Sequence, residues 1–351
     1  ALPDVPMPDV TTENGQRLWM SHIDGDGFLN RAELPGTPYA AEVVRSRILQ
    51  KYRLPTTVSI IEGEIGPSGL YPKQSPELER IARDFFKMPT VELASHTYSH
   101  PFDWRVVEEG DAASGEYSLP IPGYRYSLDR EIIGSAEYIN QRLAPPGKRV
   151  KFILWTGNCL PSEKAIRMAR KAGLYNLNGG DTTVRNSHPF LSLVTPMTRP
   201  MGRELQLYAP IMNENVYTNL WRGPFYGFRR VIETFERTEN PRRLKPINIY
   251  YHFYSGAKTA SLRALEEVYK WTLGRQINPV YLSDYYKRVL AYQQATIARD
   301  LSGNLHYQAP DGLRSLRQIG DRRKPNYMPA ANIAGYRRLH DGIYYALGGG
   351  M

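Results

Sequence analysis

Short runs of β-branched and apolar residues alternate along this chain with amphipathic stretches of helical period. "RLWMSHI" (17–23), "TTVSIIE" (56–62), "TVELAS" (90–95), "VKFILW" (150–155), "INIYYHF" (247–253) and "PVYLS" (279–283) read as strands. "PYAAEVVRSRILQKY" (38–52), "SPELERIARDFF" (75–86), "LDREIIGSAEYINQRL" (128–143), "EKAIRMARKAG" (163–173), "SLRALEEVYKWTLG" (261–274) and "DYYKRVLAYQQA" (284–295) read as helices. Ser75 is placed to cap its helix, with Pro76 in the first turn. Ser162 is placed to cap the helix that Gly173 stops. The run at 150–155 is apolar almost without a break, as in a strand covered on both faces of a parallel sheet.

Strands that alternate with helices through short links imply a parallel sheet. The number of units predicts an α/β fold, a distorted (β/α) barrel of about seven to eight units. Chemistry in such a barrel belongs at the C-terminal ends of the strands. Beyond 295 the pattern changes to short alternating runs rich in Gly, Pro and Tyr. The expected organisation is a barrel over 1–295 and a β-rich appendage, or the start of a further domain, over 296–351.

Composition narrows the class. With 41% hydrophobic residues in 351, the chain can bury a sizeable core, and no run of apolar residues is long enough for a membrane span. The opening "ALPDVPMPDV" lacks the basic and apolar regions of a signal peptide. One cysteine, Cys159, excludes an internal disulfide. The formal net charge of +10 permits attraction to polyanions. Its arginines come as scattered doublets without a nucleic-acid-binding signature, so a solvated basic surface is expected, not a nucleic-acid partner.

Reactive side chains gather at the predicted strand ends. The first strand runs into "DGDG", with Asp24 and Asp26; the third runs into "SHTYSH", with His96 and His100. The later ones end in "WTGNC" (155–159) and in His252, and Asp181 follows the apolar "LYNLN". An EF-hand counted from Asp24 fails, because Phe28, Leu29 and Pro35 stand where a ligand, a glycine and a glutamate are required. Taken singly, "DGDG" is a sharp turn, His-x-x-x-His a hydrogen-bonded pair and His252 a core histidine. Taken together, two imidazoles and one carboxylate make three ligands with a position left open, the arrangement of a catalytic metal site. The second aspartate is then free to act as a base.

These stretches resemble the polysaccharide deacetylases with a NodB-homology domain. The resemblance rests on the paired aspartates, on "SHTYSH" and on "YYH" at the end of a later strand, and it covers about 17–295. Within that family "HIDGDGF" and "SHTYSHPFDW" look most like the branch that modifies the Pel exopolysaccharide of biofilm-forming Gram-negative bacteria. The resemblance implies hydrolytic N-deacetylation of an acetylated amino-sugar polymer. Asp24 would be the base, and Asp26, His96 and His100 would hold Zn²⁺, or Co²⁺ or another divalent ion. His252 would protonate the departing amine, its pKa raised by Asp181. Backbone N–H groups near Thr156–Asn158 would face the oxyanion, while Trp155, Thr156, Asn158 and Trp104 would meet the sugar; the two tryptophans would stack on rings or fill the barrel. A periplasmic location and export-machinery partners are implied in the same way. The chain departs from the family in three places: Gly25 separates the aspartates, the tryptophan expected soon after the fourth-motif aspartate (Asp181 here) is missing, and "WTGNC" stands where the third motif carries an arginine. That gap motivates an alternative, a catalytically impaired carbohydrate-binding domain of the same fold.

Overall fold

The computed structural model describes residues 5–110, 116–320, 333–339 and 341–348. Its contacts divide the chain into two compact units, one of Ser21–Arg237 and Asn248–Trp271, the other of Ala1–Met20, Thr238–Ile247 and Thr272–Met351. The boundary expected at 295/296 falls inside the second of these.

The fold is a distorted (β/α) barrel with a β-rich C-terminal region. Six strands make one path: β1 (Gln16–Asp24), β2 (Thr56–Ile60), β3 (Val91–Ser95), β4 (Val150–Leu154), β5 (Tyr175–Leu177) and β6 (Ile247–His252), in the order β6-β1-β2-β3-β4-β5. Neighbours from β1 to β5 pair in parallel, with Ser21 opposite Thr56, Thr56 opposite Val91 and Phe152 opposite Tyr175. Every residue of β2 and β3 is buried, and β4 exposes only Lys151. Phe152, Ile153 and Leu154 of β4 are buried in succession, and cover on both faces explains why this stretch is continuously apolar instead of alternating.

Helices between the strands follow the expected stripes. Ser75–Phe86 buries Leu78, Ile81, Ala82 and Phe85, spaced three and four apart. Its cap position is Gln74, not Ser75, which is already its first residue. Glu163–Lys171 is capped by Ser162, whose Oγ accepts from the Ala165 N–H at 3.1 Å, and Gly173 leaves it at φ +74°.

In the other unit, β7 (Ile277–Pro279) pairs in parallel with Arg17–Trp19 of β1. The strand expected at 279–283 is therefore two residues early, and a helix, Leu282–Gln294, starts inside it. Leu282, Tyr285, Tyr286 and Val289 form one buried stripe, so Leu282 packs as a helical residue. A four-stranded antiparallel sheet follows, ordered Met7–Pro8, Ser315–Ile319, Gly342–Leu347, Ile333–Leu339. Leu313, Leu316, Ile343, Tyr345 and Leu347 form its core. Among the described residues no helix is long and apolar enough to cross a membrane.

Candidate metal and catalytic centre

β1 ends in Asp24, 2% exposed, and the turn that follows presents Asp26. Gly25 is required there: a Cβ would stand 2.8 Å from the backbone N of Ile61. Gly27 turns the chain at φ +75°, where a Cβ would meet Tyr254 at 2.7 Å. The "DGDG" stretch is thus a tight turn that also delivers two carboxylates to one place.

β3 ends in the loop that carries both histidines. Thr97 (φ +68°) and His100 (φ +52°) adopt the left-handed region that non-glycine residues avoid. Side chains hold the loop in that shape. Glu131 Oε2 accepts from the N–H groups of Tyr98 and Ser99 at 2.9 and 2.8 Å, and Thr97 Oγ1 accepts from the His100 N–H at 3.0 Å. Glu131 Oε1 also takes the hydroxyls of Ser99 and Tyr124. Next to it, Arg130 pairs with Glu62 and lies 3.8 Å over the Tyr98 ring.

Asp26, His96 and His100 come together so that one donor atom of each lies within 4.8 Å of the others. His96 Nε2 is 3.2 Å from Asp26 Oδ2, and His100 Nε2 is 3.1 Å from Asp26 Oδ1. Bonds of about 2.0–2.1 Å to a tetrahedral ion give ligand–ligand edges of about 3.3 Å, so this donor set fits Zn²⁺ or a similar divalent cation. Burial would raise the Asp26 carboxyl, but the His100 and His96 imidazoles outweigh it and hold it well below the usual carboxylate range. The residue is therefore anionic throughout the neutral range.

Asp24 stands behind this cluster, its Oδ2 3.7 Å from both His96 Nε2 and His252 Nε2. Asn178 Nδ2 donates to Asp24 Oδ1 and Oδ2 at 3.1 and 3.0 Å, and the Tyr250 hydroxyl donates to Oδ2 at 2.5 Å.

His252 ends β6. Glu214, 1% exposed, grips it twice: the His252 N–H donates to Oε1 at 2.8 Å, and Nδ1 lies 3.1 Å from Oε2. The Tyr254 ring stacks on the imidazole at 4.7 Å, and the Tyr254 hydroxyl is 2.9 Å from Nδ1. Burial alone pushes this imidazole down, but the Glu214 charge and hydrogen bond, with Asp26 and Asp24 behind them, lift it to about 10. It faces the site as a cation with Nε2–H free to donate.

Asp24, Asp26, His96, His100, Tyr250 and His252 line one cavity of about 550 Å³, together with Phe102, Trp155, Asn158, Leu160, Asp181, Tyr208 and Leu220. Several sequence expectations change here. Asp181 borders the cavity, but the carboxylate on His252 belongs to Glu214. Trp104 and Trp155 are fully buried and pack edge to face at 5.0 Å, with their N–H groups on the Thr156 carbonyl and Asn176 Oδ1. Trp104 fills the interior, while Trp155, equally buried, borders the cavity wall. Thr156 is buried, its hydroxyl on the Pro101 carbonyl at 2.6 Å, and is not among the lining residues. Asn158 does line the cavity, but its N–H is already donated to the Phe102 carbonyl at 2.8 Å and so does not serve an oxyanion.

Three residues escaped the sequence. Tyr250 lies two before His252 on the same strand and hence on the same face, a readable signal. Asn178 directly follows β5, a strand-end position like those of the other chemistry-bearing residues. Glu214 lies in a short 3₁₀ turn, Glu214–Val216, with no motif around it.

No protein-family model matches the chain, and no curated protein matches it. Among solved structures, 4-alpha-glucanotransferase from Thermococcus litoralis is similar over 76% of this chain at 14% identity, with a TM-score of 0.45. The chain covers 39% of that enzyme's length. Puue allantoinase is similar over 77% of this chain and 88% of its own, at 12% identity and the same TM-score of 0.45. At those values neither neighbour says what this chain binds or does.

Proposed function

We propose that the chain is a metal-dependent hydrolase that removes acetyl groups from an N-acetylated amino-sugar polymer of the Pel type. One observation carries this reading: two imidazoles and a carboxylate at metal-ligand spacing share a cavity with a second carboxylate and a cationic histidine. A divalent ion held by Asp26, His96 and His100 would polarise the acetamide carbonyl and acidify the attacking water. Asp24, beside the cluster, takes the proton of that water. His252 gives its Nε2 proton to the departing nitrogen, which without it is a poor leaving group. Glu214 holds the imidazole charged and aimed. Action on an exported polymer would put the protein in the periplasm beside export machinery, as the family resemblance implies.

The deciding experiment measures acetate released from oligomers of N-acetylgalactosamine and N-acetylglucosamine, with bound metal determined in parallel. Chelation should abolish release, and Zn²⁺ or Co²⁺ should restore it. Activity that persists without metal refutes this mechanism. Tight oligomer binding by the metal-loaded protein without acetate release would instead establish the binding-domain alternative.

A further inference from the structure

Among the described residues that line the cavity there is no arginine or lysine, and the side chains that donate to Asp24 are the neutral Asn178 and Tyr250. Asp24 is fully enclosed, and its oxygens still need donors. Asn178 supplies them through one amide. Its Nδ2 carries two hydrogens: one goes to the Trp155 carbonyl at 3.0 Å, the other is shared between the two Asp24 oxygens. Asn178 is fully buried at φ +98°, a backbone region costly for any residue with a side chain. Gln206 Nε2 donates to its carbonyl at 2.9 Å, which helps hold the segment in that conformation.

A third residue decides which way the Asn178 amide points. His22 lies on β1, two residues before Asp24 and on the same face. Its Nε2 is 3.2 Å from Asn178 Oδ1, and its Nδ1 is 3.2 Å from Asn248 Oδ1. Burial, against the pull of Asp24, lowers its pKa to about 4, so the ring is neutral and has a single N–H. It therefore cannot donate to both amide oxygens. Asn248 Nδ2 is buried without a partner, whereas both hydrogens of Asn178 Nδ2 are in use. Turning the Asn248 amide end for end pairs its Nδ2–H with His22 Nδ1 and leaves the His22 proton on Nε2, donated to Asn178 Oδ1. The His22 ring also stacks on Tyr250 at 4.0 Å and 23°, which fixes the second donor to Asp24.

We propose that Asn178, Tyr250 and His22 are positioning residues for Asp24: a neutral relay, Asn248 to His22 to Asn178, meets the Tyr250 hydroxyl at the base and sets the plane of its carboxylate. The inference rests on the deacetylase reading for its consequence in turnover. Its geometric content does not depend on that reading.

The test uses the full chain loaded with Co²⁺. Tyr250→Phe keeps the ring on His22 and removes one hydroxyl; it should lower kcat about tenfold, the effect of a lost hydrogen bond. Asn178→Asp replaces the donor by an acceptor and should lower kcat about 10²-fold, as for a misplaced catalytic group. In both variants bound metal, the cobalt absorption band and KM should stay within about twofold of the parent. His22→Gln retains a donor near the Nε2 position and should recover most of the turnover that His22→Ala loses. Wild-type kcat in the first two variants, loss of metal in step with turnover, or no advantage of His22→Gln over His22→Ala each overturns the inference. Crystal structures of cobalt-loaded Tyr250→Phe and Asn178→Asp complete the test without turnover. Rotation of the Asp24 carboxylate, with His96 and His100 unmoved, supports the relay; an unmoved Asp24 in both overturns it. A wild-type protein that releases acetate from no oligomer overturns the deacetylase reading alone.

Discussion

His252 and Glu214 meet through a side chain and a backbone N–H, and Ser255 donates a third hydrogen bond to the same carboxylate at 2.8 Å. That geometry distinguishes Glu214 from Asp181, which is exposed at the cavity and has no hydrogen bond to His252. Glu214→Gln should lower kcat by about 10²-fold, within the range of general acid catalysis, while Asp181→Asn should cost less than about fivefold. Acetate release by the two variants at saturating oligomer decides between them; equal losses would return the partner role to Asp181. His22 gives a second residue-level prediction, this time in stability. Its imidazole stays neutral in the fold down to about pH 4, whereas an unfolded one takes a proton near 6.5. Between those values the unfolded chain binds more protons, so stability falls as the pH drops from about 6.5 to about 4 and levels off below. That interval corresponds to on the order of 3 kcal/mol. Tm measured against pH should show this slope in the parent and a shallower one in His22→Gln; parallel curves would refute the buried neutral imidazole. At this scale the sequence reveals groups with a positional rule and hides those without one. Asp24, Asp26, His96, His100 and His252 all follow a strand or end one, but Glu214 reaches the site from a turn whose path only tertiary contacts set.

At the scale of elements, the histidine loop depends on a helical segment far from it in sequence. Glu131, fully buried, pins a loop with two residues in the left-handed region. Glu131→Ala would remove the acceptor of the Tyr98 and Ser99 N–H groups and leave these buried donors unpaired, at about 1–3 kcal/mol each. The expected result is a lower Tm and at least about tenfold weaker metal binding, as for other residues that orient ligands. Competition with a chromophoric chelator reads the second effect, and an unchanged metal affinity would leave Glu131 with a purely structural role. The helix containing Glu131 is legible at 128–143 from its apolar spacing, but nothing in that pattern says that its first turn braces a metal loop. The segment between β5 and β6 is harder still. It forms a hairpin of Thr198–Met201 and Glu204–Leu207 and several 3₁₀ turns. Such short pieces carry no period long enough to register, and they take their shape from contacts instead of propensity.

Charge on the whole molecule and charge in the cavity point in different directions. The chain carries +10, yet the cavity is lined by Asp24, Asp26, Asp181 and three histidines, with no arginine or lysine among the described residues. A polyanion attracted by the net charge would meet no arginine or lysine inside, only the His252 imidazolium set among three carboxylates. Binding of nucleic acid through n phosphate contacts falls with salt at a log–log slope of about −0.9n, or about −0.7n for single strands. A neutral acetylated glycan releases no counterions and should show a slope near zero. We therefore expect kcat/KM for acetate release to change less than about twofold between roughly 50 and 200 mM salt, where the Debye length shrinks from about 14 to 7 Å. Duplex DNA added as competitor should leave the rate unchanged, because any DNA bound to the basic exterior does not occupy the cavity. A rate that falls steeply with salt, together with inhibition by DNA relieved at high salt, would show that the positive surface governs access to the site. The ligand would then be a polyanion, and the strand-end cluster of carboxylates and imidazoles would need a substrate other than a neutral acetylated glycan.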